Sequence, residues 1–282
     1  PPFLFQAEDG RRDSVAARGL GDVYKRQAED YGNPSSPHQL GRRARDLLED
    51  ARESLADLLD TKPRELIFTS GGSEGNNAVL RQLLFQEHQT HLVVSAIEHP
   101  SILETARWRV QKKNLKLTVL PVDRGGRVSP ENLNSIIRPE TRLVSLMAAN
   151  NETGVLQPMD DISELAHRYG AYVHCDAVQA VGKIPVDIKA WGVDYLALSG
   201  HKMGGPQGIG ALVRSGNAPL NSFITGGGQE HGIRAGTENV AAIAGRINVN
   251  SGGHNWYSEY AYKNNDTIDS MLENKYASGS AI

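Results

Sequence analysis

Apolar and polar positions along this chain follow two periods, and the two trade places in a regular order. The helical period comes first. Leu40, Ala44, Leu47, Leu48, Ala51, Leu55, Leu58 and Leu59 recur at intervals of three and four, with arginines and acids between them, which predicts a single apolar stripe on an amphipathic helix. Ahead of it, Ser36-Pro-His-Gln39 offers an N-cap serine, a proline at the first helical position and a glutamine placed to close a capping box. After Lys62-Pro63 short apolar runs begin. Leu66–Thr69, His91–Ser95, Leu115–Leu120, Leu143–Met147, Ala171–Cys175, Asp194–Leu198 and Gly208–Val213 have the length and composition of buried strands. Helical patterns separate many of them: through Leu80, Leu83 and Leu84, from Ile102 to Val110, from Ser129-Pro-Glu131 toward Ile136 and Ile137, and from about Asp160 to Tyr169. Strands alternating with helices over short connections predict an α/β fold, a largely parallel sheet sandwiched by helices.

Composition narrows the class without naming a function. A chain of 282 residues, 39% hydrophobic, can bury a large core in one big domain or one and a half. A net charge of −3 leaves no basic footprint for nucleic acid. Cys175 is the single cysteine, which excludes a disulfide framework and suits a reducing, cytoplasmic setting. No apolar run approaches the ~20 residues that a membrane helix needs, and Pro1-Pro-Phe-Leu-Phe5 is too short for a signal-peptide core and lacks a basic flank.

The two ends break the pattern. Residues 1–27 show neither period and resemble the translated adapter strings found at the ends of metagenomic gene models, so they are expected to be artefactual or disordered. Residues 246–282, rich in Asn, Gly, Ser and Tyr, have no clear apolar period and are expected to be an unrelated or frame-shifted tail. The domain is therefore expected to occupy residues 28–245.

In a parallel α/β sheet, ligands sit outside the carboxyl ends of the strands. The polar residues that stand out cluster there: Gly71 to Asn77, His99, Asn150 and Asn151, Asp176 and Gln179, and Ser199 to Lys202. Each has an ordinary reading as well. Ser70-Gly-Gly-Ser-Glu-Gly75 lets backbone N–H groups and a helix start face an anion, yet a plain glycine-rich turn with Ser73 as N-cap would look the same. It matches neither a nucleoside-triphosphate loop nor a dinucleotide fingerprint. His99 could be structural, and Asp176 could merely cap the next turn. Cys175 reads as core rather than nucleophile. No metal spacing links His167, His174 and His201. Lys202 could be solvated in a turn, but burying an ammonium group between core strands is costly unless something uses it, and a lysine with a lowered pKa forms Schiff bases with carbonyl compounds.

Together the set matches the needs of pyridoxal phosphate. A lysine supplies the imine, a carboxylate keeps the pyridine nitrogen protonated, a glycine-rich helix start holds the phosphate, and a flat side chain stacks on the ring. At this point the sequence resembles the cysteine desulfurases, class V aminotransferase-type pyridoxal-phosphate enzymes of fold type I. The resemblance rests on Tyr31-Gly-Asn-Pro-Ser-Ser-Pro-His38, Phe68-Thr-Ser-Gly71, Glu98-His-Pro-Ser101, Asn150-Asn-Glu-Thr-Gly154, His174-Cys-Asp-Ala-Val-Gln179, Ser199-Gly-His-Lys202, Gly226-Gly-Gly-Gln-Glu230 and Arg234-Ala-Gly-Thr237. It runs in order from about Glu29 to Gly245.

That resemblance implies Lys202 as the Schiff-base lysine and Asp176 as the partner of the pyridine nitrogen. It implies that His99 stacks on the ring and moves protons, that Gln179 bonds the ring oxygen, and that Asn151 sits near the substrate and that oxygen. Gly72, Ser73, Ser199 and His201 would hold the phosphate, and Thr237 would reach the phosphate of the partner subunit in a homodimer. Gly72-Ser73 stands where the family commonly has Ala-Thr. The activity implied is a transferase reaction: L-cysteine to L-alanine, with an enzyme-bound persulfide destined for iron–sulfur cluster assembly or tRNA thiolation through a sulfur-acceptor scaffold. The family's opening strand should precede Tyr31, and its sulfur-accepting cysteine and substrate-binding arginine should follow Gly245. The chain is accordingly expected to be a fragment truncated at both ends, with most of the small C-terminal domain missing. A selenocysteine lyase or another class V enzyme, and a non-catalytic fragment that keeps the fold, are the competing readings. A nucleotide-phosphate protein would leave Asp176 and Lys202 without a purpose.

Overall fold

The structure, a computed structural model, describes residues 31–82, 90–112, 115–216 and 218–244. The segments expected to be foreign, 1–27 and 246–282, lie outside the described residues, as do Leu83 and Leu84. Among the described residues the helices include α1 (Gln39–Leu58), α2 (Gly72–Gln82), α3 (Pro100–Lys112), α4 (Pro130–Ile136), α5 (Met159–Arg168) and α6 (Ile188–Trp191). The strands are β1 (Leu66–Thr69), β2 (Thr90–Ser95), β3 (Leu115–Leu120), β4 (Thr141–Met147), β5 (Tyr172–Asp176), β6 (Tyr195–Ser199) and β7 (Gly210–Arg214). They form one seven-stranded sheet in the order β1-β7-β6-β5-β4-β2-β3.

The pairs among β2 to β6 are parallel, and β7 runs antiparallel to both β1 and β6. Two reversals cancel, so β1 points the same way as the parallel strands. The carboxyl ends of β1, β2, β4, β5 and β6 therefore open on one edge of the sheet. Gly210 starts β7 at that edge, and a Cβ there would lie 2.5 Å from the Leu198 carbonyl oxygen and 2.6 Å from Gly71 Cα. Only glycine lets the loop after β1 come this close.

Helices cover both faces, as the alternating pattern predicts. Leu48 and Leu55 of α1, Leu133 of α4 and Ile162 of α5 share one buried cluster with Val144, Val173 and Leu196 from the strands. Ala78 and Val79 of α2 and Ile102 and Ala106 of α3 pack with Leu92, Val94 and Leu212 on the other face. The short α6 was not anticipated. Asp187 caps it, accepting from the Ala190 N–H, and Gly192 ends it in the left-handed conformation, but four residues are too few to show a period.

Two details of α1 differ from the reading of the sequence. The N-cap is His38, whose Nδ1 accepts from the Gly41 N–H at 3.1 Å, and not Ser36. Ser36 is held in a turn, donating its N–H to the Asn33 carbonyl, while Arg45 donates to the Pro34 carbonyl from two nitrogens. These tertiary bonds hold the segment against the helix flank and delay its start to Gln39. The buried stripe is also shifted. Leu40 and Leu58 are exposed, and Arg52, only 2% exposed, occupies an inward position.

Arg52 is inward because a partner meets it. Its Nη1 and Nη2 donate to Glu230 Oε2 and Oε1 at 3.0 and 2.8 Å, its Nη1 also donates to the Leu66 carbonyl, and its guanidinium lies 4.8 Å from the centroid of the Phe68 ring. Glu230 Oε2 accepts from the Phe68 N–H as well. The pair joins α1, β1 and a distant loop, where Glu230 and His231 adopt φ values of 46° and 60°, a region costly for residues other than glycine. Breaking a buried pair strands a charge, at a cost of about 3–5 kcal/mol. Glu230→Gln is expected to lower stability by about 3 kcal/mol, read as a lower urea midpoint at unchanged slope. A midpoint shift equivalent to less than about 1 kcal/mol would show that the clamp is dispensable.

Candidate cofactor site

The common strand edge holds a cavity of about 320 Å³. Gly72 and Ser73 reach it from the start of α2, His99 from the turn after β2, and Asn151 from the turn after β4. Asp176 and Gln179 reach it from the end of β5, and Ser199, His201 and Lys202 from the end of β6. Nine of the ten residues expected at the site thus line one space. The tenth, Thr237, is exposed and does not line it.

Each position has a local cause. The helix α2 starts at Gly72, so Ser73 lies in the first turn and is not an N-cap. The first-turn N–H groups of a helix have no intrahelical partner, and here they stand at the cavity wall. The loop before them is braced: Glu74 Oε2 accepts the Ser70 N–H at 2.9 Å, and Arg234 Nε donates to Glu74 Oε1 at 2.8 Å. Val178 Cγ2 fills the space that a Cβ at Gly72 would take, which accounts for glycine at a position where the family commonly has alanine. Asn150 and Asn151 divide their work. Asn150 Oδ1 accepts from the Glu152 and Thr153 N–H groups and shapes the turn, and the next residue faces the cavity.

Asp176 is 5% exposed. Its Oδ1 accepts from the Val178 N–H at 3.1 Å and its Oδ2 from Asn76 Nδ2 at 2.7 Å. It both caps the following turn and faces the cavity, so the two readings of this residue hold together. Both partners are neutral, and burial pushes its carboxyl above the usual range. Lys202 is exposed. The burial cost expected for its ammonium group does not arise, because the 3-10 turn Gly200–Met203 carries it to the mouth of the cavity. The three histidines named in the sequence stand apart: His167 pairs with Asp194, His174 with Ser145, and His201 Nδ1 lies 2.9 Å from Ser199 Oγ. Cys175 is buried, and burial followed by the charges of Asp176 and Glu98 pushes its thiol up.

The structure adds wall residues to which the sequence had assigned no role of their own. Asn76, Ser101 and Val178, which stand inside the quoted motifs, complete the cavity wall with Met147 and Ala149. Gln179 Oε1 accepts from Lys183 Nζ, which leaves the Gln179 NH₂ group free to donate into the cavity. Burial and the nearby charge of Lys202 push the Lys183 ammonium down. A signal was present for Asn76, which follows the glycine-rich loop by one helical turn; Lys183 had none.

The family profile described as Aminotransferase class-V matches residues 20–271. The chain belongs to the class-V aminotransferase family. That match extends past residues 28–245 at both ends. A cysteine desulfurase IscS of Dictyoglomus turgidum is 44% identical over 219 residues, which are 77% of this chain and 55% of that protein. A probable mitochondrial cysteine desulfurase of Dictyostelium discoideum is 42% identical over 214 residues, 74% of this chain and 47% of that one. The chain spans about half the length of these curated relatives. Among solved structures, a NifS-like protein superposes with a TM-score of 0.80 at 37% identity, covering 91% of this chain and 72% of that one. SspA in complex with cysteine superposes with a TM-score of 0.77 at 36% identity, covering 82% and 70%. The sheet is that of fold-type I pyridoxal-phosphate enzymes.

Pyridoxal phosphate is the cofactor of this class, and the residues present fit it. A buried carboxyl held only by neutral donors has room for a cationic ring nitrogen, the start of α2 suits a phosphate, and Lys202 stands in the same space.

Glu98, behind His99, is the other unusual carboxyl. Its Oε1 accepts from Ser95 Oγ at 2.5 Å and from the Met147 N–H at 2.8 Å, and its buried Oε2 has no hydrogen-bond partner among the described residues. Burial, then the charge of Asp176, raises this carboxyl from 4.5 to about 8. The fold therefore favours the neutral form: its contribution is complete below about pH 4.5 and is lost as pH rises through about 8. His174, depressed by burial to about 3, works in the opposite sense, with its contribution lost as pH falls from 6.5. In cofactor-free protein, Glu98→Gln should flatten the fall in stability between about pH 4.5 and pH 8, measured by urea denaturation at each pH. Parallel curves for parent and variant would contradict a neutral Glu98.

Proposed function

We propose that this chain is the cofactor-binding part of a cysteine desulfurase. The observation that carries the reading is the convergence of Lys202, the buried Asp176, His99 and the start of α2 on one cavity from separate strand ends. Bound there, pyridoxal phosphate supplies an imine-forming aldehyde and an electron sink that weakens bonds around the substrate Cα. Lys202 Nζ would provide the amine for the covalent link. Asp176 would keep the ring nitrogen protonated. The Gln179 NH₂ group, oriented by Lys183, would donate to the ring oxygen, with Asn151 lining the same space. Gly72, Ser73, Ser199 and His201 would hold the phosphate. His99 would stack on the ring and exchange a proton at Nε2. Thr237, exposed and outside the cavity, would serve the partner's phosphate in a homodimer.

Cys175 does not accept the sulfur. Its thiol is buried on β5 with its pKa raised, and the thiolate is the nucleophile. The persulfide belongs to a cysteine in the part of the relatives that this chain does not span, and from there sulfur passes to an iron–sulfur scaffold or tRNA-thiolation partner. A lone buried cysteine suits the reducing cytoplasm, and no described helix is long and apolar enough to cross a membrane.

Mixing the chain with pyridoxal phosphate should produce the visible absorbance band of a lysine-bound cofactor, stable to gel filtration and abolished by Lys202→Ala. No band in the parent, or an undiminished band in the variant, would overturn the assignment. With L-cysteine added, the loaded chain should release no sulfide above the rate of free pyridoxal phosphate. Sulfide production at an enzyme-like rate, lost in Cys175→Ala, would show that Cys175 does act.

A further inference from the structure

The strand edge carries a hydrogen-bond chain that the proposed function does not use. Asn76, in the second turn of α2 and 1% exposed, donates from Nδ2 to Asp176 Oδ2 at 2.7 Å and to Ser101 Oγ at 2.9 Å. Ser101 Oγ lies 2.8 Å from His99 Nδ1, and the Ser101 backbone N–H donates to the same nitrogen at 3.1 Å. All four side chains line the cavity. We propose that Asn76 and Ser101 are positioning residues, a donor-only bridge that holds Asp176 as an acceptor and fixes His99 as the tautomer with its proton on Nε2.

Counting hydrogens leads to this. The carboxamide nitrogen has two hydrogens and no acceptor capacity, and both are engaged. Ser101 Oγ has one hydrogen and accepts from Asn76; because His99 Nδ1 already accepts the Ser101 backbone N–H, the hydroxyl hydrogen is what faces that nitrogen. The backbone N–H of Ser101 cannot act as an acceptor at all. His99 Nδ1 therefore faces two donors and carries no proton in the neutral ring. Rotating the Asn76 amide by half a turn would set Oδ1 against Asp176 Oδ2 and remove both donor links, so the observed orientation is the one that keeps Asp176 an acceptor. In the observed orientation Asn76 Oδ1 is buried with no hydrogen-bond partner among the described residues. Leaving an acceptor unpaired in the interior is destabilising; the two N–H groups are what this position uses.

The consequence is isolation. A hydroxyl or water between Asp176 and His99 could pass a proton from one to the other. An amide that donates both ways cannot, since it has no acceptor atom on either link. Asp176 stays available to the ring nitrogen while His99 exchanges its proton on the cavity side, from Nε2. The use of that proton rests on the pyridoxal-phosphate reading of the cavity. The tautomer does not, and it can be measured without cofactor.

The test is long-range proton–nitrogen correlation NMR on the full chain with nitrogen-labelled histidine and no cofactor, with the His99 signals assigned by their loss in His99→Gln. The parent should show the pattern of a single Nε2–H tautomer. Ser101→Ala, which loses the hydroxyl at 2.8 Å and leaves only the longer backbone donor at 3.1 Å, should lower the Nε2–H share measurably, and Ser101→Thr, which keeps the hydroxyl, should restore the parent pattern. Asn76→Asp, which removes both donors, should also lower that share. An Nδ1–H tautomer in the parent, or an unchanged pattern in Ser101→Ala, would overturn the proposal. Should Asn76→Asp fail to fold, the Ser101 pair decides alone, since Ser101 is only half-buried at the cavity wall. A parent that shows the Nε2–H pattern yet never binds pyridoxal phosphate would sink the functional reading and leave the bridge standing.

Discussion

The strand directions are the constraint on which everything else here depends. β7 runs against both its neighbours, so β1 is turned back into line with β2, β4, β5 and β6, and five carboxyl ends open on one edge. Side chains on the turns that follow those ends are thereby forced together, although they span residues 72 to 202. Gly210 makes the arrangement possible at close quarters. Its missing side chain lets the loop after β1 lie against the start of β7, which brings the first turn of α2 to the same wall as Ser199 and Lys202.

Within that frame, charge is placed unevenly. The cation of Lys202 is at the mouth, in contact with water, and Asp176 is at the depth of the cavity with neutral donors around it. A cofactor with a cationic ring nitrogen and an amine-reactive aldehyde would suit both ends of this gradient. The same interior raises Glu98 and depresses His174, so burial favours the neutral form of both groups. Outside the cavity lining, the Arg52–Glu230 pair uses the opposite solution to burial. There two charges are fully matched, and they tie α1 to a loop 178 residues away.

Much of the fold was legible because period and composition are local properties. The seven strands all lie where apolar runs of β-type residues stand, and Ser129 caps α4 where Ser-Pro-Glu signals a helix start. The misreadings came where a hydrogen bond outside the pattern being read decided the outcome, near in sequence for one and distant for the other. Ser36 has the chemistry of an N-cap, but Asn33 and Arg45 hold its segment in a turn and His38 caps instead. Arg52 interrupts an apolar stripe, and only Glu230 explains why it can point inward.

The residue types at the cavity, their order and their position just after strands were written in the chain itself, because the turns that follow strands of one direction all face the same edge of the sheet. Lys202 was legible in that way. What its sequence could not show is how it would be solvated: a solvated turn and a costly buried position were both open, and it stands exposed at the cavity mouth. Nor could sequence join Asn76 to Asp176 across a hundred positions, or Ser101 to His99 through a particular rotamer, or Lys183 to Gln179 by one amide oxygen. Those links depend on a few tenths of an ångström between side chains on different elements, and such distances exist only once the sheet has been assembled and its two helical layers packed.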